Sequence, residues 1–410
     1  MEDELEPSLR PPTQIQGRIL LLTICAAGIG GTFQFGYNLS IINAPTSHIQ
    51  EFTNETWQAR TGEPLSDHLV LLVWSIIVSL YPLGGLFGAL LAGPLAITLG
   101  RKKSLLVNNI FVVLAAILFG FSRKAGSFEM IMLGRLLVGV SAALQRLRGS
   151  GDLARELEEL EEERAACQGR RARRPWEMFQ HRVLRRQVTS LVVLGSAMEL
   201  CGNDLMYAYA SSVFRKAGVP EAKVQYAIIG TGSCELLTAI VSCVAVERMG
   251  RRMLLISGYS LMTCWGSIFT VALCLQSSFP WTLYLAVACI FASILSFGIG
   301  PAGVTGILAT ELFDQMARPA ACVVGGALMW IMLFLVSLGF PFVMEALSHF
   351  FYVPFLGVCA CGAIYTGLFL PETKGKTLQE ISEELHRLNF PRRAQGPTWK
   401  SPEVIQSTEL

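Results

Sequence analysis

Charge is what this chain of 410 residues has least of. Lys, Arg, Asp and Glu together make up 16% of the sequence, residues of the apolar set make up 52%, and the mean hydropathy is +0.48. Soluble proteins carry about a quarter charged residues, and so few charges could not cover a soluble surface without large exposed apolar patches. The composition excludes a soluble globular protein and predicts a polytopic membrane protein.

Catalytic and metal-binding constellations are also lacking. The five histidines lie in predicted loops or at the ends of apolar stretches, without convergent acids or a nucleophile. Ten of the eleven cysteines lie inside apolar stretches, where they are expected to pack as small apolar residues. The glycine-rich segments carry no P-loop lysine. We therefore expect no enzyme, no metal, no cofactor and no nucleic acid partner.

Long apolar runs, in contrast, are abundant. A helix of about 20 apolar residues crosses the ~30 Å hydrocarbon core of a bilayer, and these runs lack the alternation of barrel strands. Ten helical spans are predicted: 19–42, 69–91, 105–121, 130–144, 188–214, 226–246, 253–275, 281–309, 320–344 and 350–370. The fourth is the weakest, because it is short and contains Arg135.

The distribution of Lys and Arg predicts the orientation. With a cytoplasmic N-terminus, 26 of the 33 basic residues fall on the cytoplasmic side and 6 on the outer side, as the positive-inside rule requires. The sequon Asn54-Glu55-Thr56 then lies in the first outer loop, where a glycan can be attached. We expect both termini in the cytoplasm, a glycan on Asn54, and an integral protein of the plasma membrane.

One long polar stretch divides the chain. We predict a tail over 1–18, a four-span bundle over 19–144, a charged cytoplasmic linker over 145–187, a six-span bundle over 188–370 and a second tail over 371–410. Leucines recur at helical spacing in the linker, which predicts an amphipathic helix. The linker is either a solvated connection or, through its arginines, an attachment to anionic lipid.

A short motif occurs at two corresponding places. Gly100-Arg101-Lys102-Lys103 follows the second predicted span, and Gly250-Arg251-Arg252 follows the sixth. A tight turn between helices needs Gly, and its basic residues can interact with helix C-termini or neighbouring acids. The matched loops favour the duplicated halves found in many secondary transporters.

Several motifs, taken in order, resemble the sugar porters of the major facilitator superfamily, and in particular the facilitative glucose transporters. They are Gln34-Phe35-Gly36-Tyr37-Asn38 with Ile42-Asn43-Ala44-Pro45, Gly134-Arg135, residues 246–252, Glu311-Leu312-Phe313 with Arg318-Pro319, and Pro371-Glu372-Thr373-Lys374-Gly375. The resemblance runs from about residue 15 to 390. It implies an all-α, major-facilitator-type fold of two bundles, a central sugar site and alternating access without a cofactor.

The chain departs from this family in the number of its spans. The family has twelve, whereas the fourth span of this chain runs through Ser141-Ala142 into a sequence that resembles the family's linker after its sixth span. The fifth and sixth family helices are therefore expected to be absent, which leaves four spans plus six. Because the missing number is even, the orientation of everything downstream is preserved.

Sugar recognition needs hydrogen-bonding side chains for several hydroxyls and an aromatic face for the ring. Seven substrate-binding residues are predicted: Gln34, Asn38, Glu199, Asp204, Tyr209, Glu235 and Trp330. Glu199 and Asp204 diverge by about 140° on a regular helix, unless the helix breaks at Cys201-Gly202-Asn203. The resemblance implies that acids here replace sugar-contacting amides. Acids at membrane depth either line a pathway or form hydrogen bonds between helices.

The resemblance implies a second site at the cytoplasmic helix ends. Its six charged residues would form ion pairs that break as the halves rock: Arg101, Glu247, Arg251, Arg252, Glu311 and Arg318. Without the resemblance, the same residues would be helix caps. Gly298, Gly300 and Pro301 interrupt the eighth predicted span and predict a hinge. Arg135 is expected to snorkel or to form a structural ion pair.

Three functions fit these features. The first is facilitative transport of a hexose, glucose or fructose or both. The second is a transport-incompetent shortened variant that acts only as an assembly partner, and the third is proton-coupled sugar symport, suggested by Glu199 and Asp204. Protein partners would be a second copy of the chain in a homo-oligomer or a PDZ domain that binds Thr408-Glu409-Leu410 by strand addition.

Overall fold

The computed structural model describes residues 33–43, 45–146, 177–180, 182–313, 317–376 and 378–389. Side chains are described throughout these ranges except at 33–35, 43, 92–94, 96–106, 145–146, 180, 182–183, 319, 378–379, 386 and 389. The predicted amphipathic helix of the linker, the first part of the first span and the C-terminal PDZ ligand lie outside the described residues.

Every regular element within these ranges is a helix, which confirms the all-α prediction. In chain order the helices are α1 (Phe33–Ser40), α2 (Thr46–Thr61), α3 (Asp67–Ala125), α4 (Glu129–Arg146), α5 (Glu177–Gln180), α6 (Arg182–Leu200), α7 (Asn203–Ala208), α8 (Ala210–Lys216), α9 (Glu221–Met249), α10 (Arg251–Cys274), α11 (Thr282–Phe297), α12 (Gly303–Glu311), α13 (Arg318–Leu347), α14 (Val353–Phe369) and α15 (Leu378–Asn389). Two 3₁₀ turns, Ile41–Asn43 and Ser348–Phe350, and a π-helical segment, Gly298–Ala302, complete the series.

Within the part of the chain that the structure describes, six helical stretches are long and apolar enough to cross a membrane. They are Asp67–Leu91, Val107–Ala125, Glu221–Met249, Arg251–Cys274, Thr282–Glu311 and Ala320–Phe350, and each coincides with a predicted span. Of the other four predicted spans, the last is the 17-residue α14 and the fourth is the 18-residue α4. The fifth is broken into α6, α7 and α8, and the first is described only from Phe33.

Helix α3 contains two of these spans and reverses direction between them. As a straight rod its 59 residues would be about 90 Å long. Yet Gly84 packs on Leu136 while Phe119 packs on Gly134, so two distant points of α3 contact α4 within two residues of each other. The two spans of α3 are therefore antiparallel, with the reversal in the segment where the sequence predicts a tight turn.

Glycines allow α3 and α4 to approach to backbone contact. A Cβ atom on Gly84 would lie 2.0 Å from the carbonyl oxygen of Leu136, and one on Gly139 would lie 2.0 Å from that of Tyr81. Gly84 and Gly88 are four residues apart on one helix face, which is the spacing of small residues in tightly packed membrane helices. This crossing holds the first half of the molecule together.

The first half comprises α1 to α4, and the second half comprises α6 to α14. The two halves meet where α3 packs against α13. Trp330 of α13 is 1% exposed and lies edge-on to the Tyr81 ring, with the ring centroids 5.9 Å apart. A Cβ atom on Gly85 would lie 2.2 Å from the Trp330 ring, so a larger residue cannot be accommodated without movement. We call this contact the α3–α13 seam.

The halves share a core at one end of the molecule. At the end that carries α2, apolar residues from both halves form one cluster, which includes Ile42 and Trp74 from the first half and Tyr209 and Phe340 from the second. A second shared cluster joins Tyr81 and Ala142 of the first half to Trp330 and Leu333 of the second. Towards the turn between α9 and α10, the second half has a large core cluster of its own. The described part of the molecule is therefore closed at the α2 end.

Candidate functional site

The fifth predicted span is broken where the sequence allows it. Helix α6 ends at Leu200, Gly202 adopts a φ of +87°, and α7 begins at Asn203. Glycine has no Cβ atom and tolerates this left-handed backbone conformation. Helix α7 lies between the halves, because it contacts α1 and the first 3₁₀ turn as well as α11 and α13. The predicted break is confirmed, as is the interruption of the eighth span by the π-helical segment.

Two of the predicted acids lie on the neighbouring helices α7 and α9. The Glu235 side chain of α9 faces the Tyr207 hydroxyl of α7 and is within electrostatic reach of the Asp204 carboxylate. Asp204 is half-buried and Glu235 is exposed, although the buried residues Thr231 and Thr238 lie four positions before Glu235 and three after it. A role of either acid in substrate binding stays a prediction.

Asn203 completes this group. It is 2% exposed, and its side chain faces the Tyr207 hydroxyl. We refer to Asn203, Asp204, Tyr207 and Glu235 as the α7–α9 cluster. The two acids are predicted as site residues because they are charged residues within apolar spans. For Tyr207 the only signal in the sequence is its position three residues after Asp204, on the same helix face.

Glu199 lies apart from this cluster. It is 2% exposed, and its neighbours include Cys201 and Tyr259 in the interior of the second half. The divergence expected between Glu199 and Asp204 therefore persists despite the helix break. A role of Glu199 in substrate binding stays a prediction.

Arg135 is the buried charge of the first half, at 4% exposure. Its Nη1 donates to the carbonyl oxygen of Asn38 at 2.8 Å, and its guanidinium carbon lies 4.8 Å from the centre of the Tyr81 ring. Neither snorkelling nor an ion pair describes Arg135 among the described residues: a carbonyl group and an aromatic face solvate the charge instead. Asn38 contributes its backbone to this contact, and the side chain of Gln34 is outside the described set.

Tyr209 and Trp330 lie in closed contacts between helices. The Tyr209 hydroxyl donates to the carbonyl oxygen of Ser337 at 2.7 Å, and Trp330 is packed into the α3–α13 seam. Tyr209 is 3% exposed and Trp330 is 1% exposed. Contact of either aromatic ring with a sugar therefore requires the halves to move apart, and that role stays a prediction.

Charged residues at the end opposite α2 form a network. Glu311 accepts hydrogen bonds from Arg251, at 3.0 Å from Nε and 2.8 Å from Nη2, and from the Thr373 hydroxyl at 2.5 Å. A polar cleft of about 280 Å³ adjoins these residues, and Arg318 also lines it. The network joins α10, α12 and the segment after α14, which all belong to the second half.

Glu372 caps the N-terminus of α10. Its carboxylate accepts backbone N–H groups from Arg251 at 2.9 Å, Arg252 at 3.1 Å, and Thr373 and Lys374 at 3.0 Å each. Burial of the carboxyl group disfavours its charge, but the four N–H donors outweigh burial and hold the pKa of Glu372 below its usual value of 4.5. Charge pattern alone does not predict this cap.

The remaining residues of the predicted ion-pair gate are placed differently. The Arg252 side chain donates to the carbonyl oxygen of Gly367 at 2.5 Å. Glu247 is exposed and forms no ion pair with a described residue, and the side chain of Arg101 is outside the described set. Since the described pairs link elements of one half, a gate between the halves stays a prediction.

Glu372→Gln should destabilise the protein by about 1–2 kcal/mol, because a neutral amide oxygen is a weaker acceptor at the positive end of a helix. The carboxylate has a lowered pKa in the folded state, so its contribution is present above about pH 4.5 and is lost as pH falls through the lowered pKa. Thermal unfolding of detergent-purified protein between about pH 7 and pH 3 measures both effects.

The matched control for this variant is Glu247→Gln, a change at an exposed acid. It should alter stability by less than about 0.5 kcal/mol. An unfolding midpoint at neutral pH that Glu372→Gln leaves unchanged would contradict the cap.

Asn54 lies within α2, and its Oδ1 accepts the backbone N–H of Leu65 at 2.9 Å. Thr56 of the same sequon is 7% exposed. The sequon is thus part of a folded helix in the segment between the first two predicted spans, and glycosylation stays a prediction. Within the described ranges, no group of three or more His, Cys, Asp or Glu side chains could hold a metal ion.

The architecture is that of a helical integral membrane protein in two halves, with polar side chains such as Arg135 and Asn203 buried inside it. Residues 22–145 and 141–385 match the family described as "Sugar (and other) transporter". The chain belongs to this family.

Known relatives are similar over most of the chain. The human "Solute carrier family 2, facilitated glucose transporter member 11" is 74% identical, over 97% of this chain and 99% of its own length. Member 5 from human is 32% identical, over 90% of this chain and 93% of its own length. Member 9 from Pongo abelii is also 32% identical, over 95% of this chain and 87% of its own length.

Solved structures share the fold. A crystal structure of a D-xylose-proton symporter gives a TM-score of 0.67 at 18% identity, over 88% of this chain and 100% of that chain. The inward open conformation of the xylose transporter XylE from E. coli gives 0.65 at 16% identity, over 89% and 99%. A further XylE structure, described as a major facilitator superfamily protein, gives 0.65. The expected major-facilitator-type fold is confirmed.

Two observations locate a gap in the first half. The family match falls into two segments that meet at residues 141–145. The alignment with human member 11 extends over 489 positions, whereas this chain has 410 residues, so at least 79 positions (489 minus 410) have no counterpart in it. Both agree with the expected absence of two helices after Ala142. The division into four and six spans stays a prediction.

Proposed function

We propose that this chain is a uniporter that carries hexoses, glucose or fructose or both, down their gradient by alternating access. The observation that carries the proposal is closure at the α2 end, where apolar residues of both halves form one core. A carrier with a central site alternates between two such one-ended closures. The relatives are named facilitated glucose transporters, which supports hexoses as the substrate class.

We further propose that the α2 end faces the outside of the plasma membrane. The excess of Lys and Arg in the segments assigned to the cytoplasm supports this orientation, and so does the position of the sequon in α2. Both termini would then be cytoplasmic, and the described structure would be a state closed to the outside.

Uptake into reconstituted vesicles tests the proposal. Labelled D-glucose or D-fructose should enter faster than L-glucose and should stop at equal concentrations inside and outside, because no energy source is coupled to its movement. A version with two helices restored after Ala142 is the matched control. Uptake no faster than into vesicles without protein would contradict transport. The remaining hypothesis would then be a transport-incompetent variant that acts only as an assembly partner.

Proton-coupled symport is the second candidate, and the carboxylates of Asp204 and Glu235, which lie within electrostatic reach of each other, favour it. A carboxylate pair at membrane depth is the kind of group through which pumps and transporters relay protons. A proton current evoked by sugar would establish symport, whereas sugar uptake without such a current would reject it.

A further inference from the structure

We propose that the polar cleft at the end opposite α2 binds a phosphate group, with Arg318 as the residue that holds it. The cleft has a volume of about 280 Å³, and its lining comes from α10, α12, α13, α15 and the segment after α14. It is separate from the predicted substrate site, because none of the seven substrate-binding residues is among its described lining residues.

The charges in this cleft are not balanced. Its described charged residues are three cations, Arg251, Arg318 and Lys376, and one acid, Glu311. Arg251 binds Glu311 through Nε at 3.0 Å and Nη2 at 2.8 Å, and Lys376 forms an ion pair with Glu384 of α15. Each of these two cations therefore has an acid of its own, and the positive charge of Arg318 is left over.

Arg318 has no acidic partner within the described part of the chain. Its guanidinium forms no ion pair there, and its Nε, which is shielded from solvent, donates no hydrogen bond. A buried N–H group without an acceptor costs free energy, and a cation without an acid attracts an anion. The planar guanidinium presents a fork of N–H donors that matches the oxygen atoms of a phosphate group, so phosphate is the favoured anion.

The start of helix α13 favours a negative charge at the same place. Arg318 is the first residue of α13, and the N-terminus of a helix carries a partial positive charge. The N-cap residue is Ala317, whose methyl side chain cannot accept a hydrogen bond. At the start of α10, in contrast, the Glu372 carboxylate caps the helix. A phosphate group in the cleft would supply to α13 the charge that Glu372 supplies to α10.

The size of the cleft limits the ligand. Pockets for drug-sized molecules are about 300–1,000 Å³, so the cleft suits a phosphate group better than a whole nucleotide. The ammonium group of Lys376 has three N–H donors, and it can donate to a phosphate oxygen while it stays paired with Glu384. A phosphate monoester is available from two sources: a soluble compound, or the headgroup of a lipid such as phosphatidic acid.

Binding of inorganic phosphate to the detergent-purified full chain tests the site without transport. The dissociation constant follows from the millimolar phosphate concentrations that raise the thermal-unfolding midpoint. Potassium chloride of equal ionic strength is the reference, because it screens charges to the same extent. We expect a saturable rise of the midpoint with phosphate and none with chloride. Equal midpoints in the two salts at every concentration would overturn the proposal.

Variants then assign the effect to Arg318. Arg318→Gln should weaken phosphate binding by about tenfold or more, which is the usual contribution of a hydrogen bond between charged groups. Arg318→Lys keeps the charge but loses the planar fork, and it should weaken binding about threefold. Because Arg318 forms no hydrogen bond or ion pair with the described residues, neither change removes a contact that the fold needs.

The matched control is Arg248→Gln, which removes the same charge from an exposed residue at the same end of the molecule. It should leave the affinity for phosphate within about twofold, because surface charges act weakly. Equal weakening by Arg318→Gln and Arg248→Gln would show a general attraction of anions and would overturn the proposal.

Reconstituted vesicles distinguish the two sources of phosphate. Phosphatidylcholine vesicles would contain either phosphatidic acid, which has a phosphate monoester, or phosphatidylglycerol, which has only a phosphodiester, at equal surface charge. If the lipid headgroup occupies the cleft, phosphatidic acid should weaken the binding of inorganic phosphate at least about threefold relative to phosphatidylglycerol. Equal affinities in the two kinds of vesicle would assign the cleft to a soluble phosphate. Both results support the site and differ only in the source of the phosphate group.

Discussion

Gly139→Ala should destabilise the protein by about 3 kcal/mol and remove most of its folded yield. The added methyl group would lie 2.0 Å from the carbonyl oxygen of Tyr81. A backbone atom cannot rotate away as a flexible side chain can, so α3 and α4 would have to separate. Gly84→Ala should have the same effect from the opposite helix, where the methyl group would meet the carbonyl oxygen of Leu136. Monodisperse yield and the thermal-unfolding midpoint in detergent measure both variants.

Gly120→Ala is the matched control, because Gly120 is also in α3 and no atom lies within 4 Å of the position its Cβ would take. Alanine is the better helix former, so this change should be neutral or stabilise the protein by up to about 1 kcal/mol. Equal losses of yield at Gly120 and Gly139 would show that close approach of the helices is not the cause.

Gly85→Leu should reduce hexose uptake by more than about tenfold, since a core overpacked by several carbon atoms is strained by 1–3 kcal/mol or more. The Cβ atom alone would lie 2.2 Å from the Trp330 ring, so leucine would push α13 away from α3 and open the α3–α13 seam. The obstacle at this position is a side chain. Removing it in the double variant, Gly85→Leu with Trp330→Ala, should therefore restore a large part of the folded yield and of the thermal-unfolding midpoint that Gly85→Leu loses.

Recovery in the double variant distinguishes a local clash from a general loss of folding, because only directly interacting residues compensate in this way. The control is Gly339→Leu, on α13, where no atom lies within 4 Å of the Cβ position. It should keep uptake within about threefold of the unmodified chain. A double variant no better than Gly85→Leu alone would contradict the seam as described.

The positions of helices and of their breaks could be predicted from the sequence, because they depend on local properties. A continuous apolar run has few alternatives to a membrane helix, and the glycines at Gly202 and Gly298 mark the two places where spans five and eight are interrupted. The fold could be predicted for a different reason. The order of the motifs along the whole chain resembles that of the sugar porters, and a shared order of motifs indicates a shared fold.

The partners of the charged residues could not be predicted in the same way. Glu199 and Asp204 look equivalent in sequence, yet Glu199 is 2% exposed and Asp204 is only half-buried. Arg135 finds a backbone carbonyl group, which no pattern of side chains can signal. The direction in which a buried side chain points depends on packing between helices, and a sequence of one chain carries that information only indirectly.

The shared core at the α2 end has a consequence for the resting state of the carrier. Opening that end would expose the apolar side chains of Ile42, Trp74 and Phe340 to water, at a free-energy cost of about 25 cal/mol for each Å² exposed. The hydrophobic effect therefore favours the conformation of the empty protein that is closed at the α2 end. The binding site would then be inaccessible from the α2 side for most of the time. The sugar concentration that half-saturates transport would therefore differ between the two faces of the membrane, although the final distribution of sugar is the same.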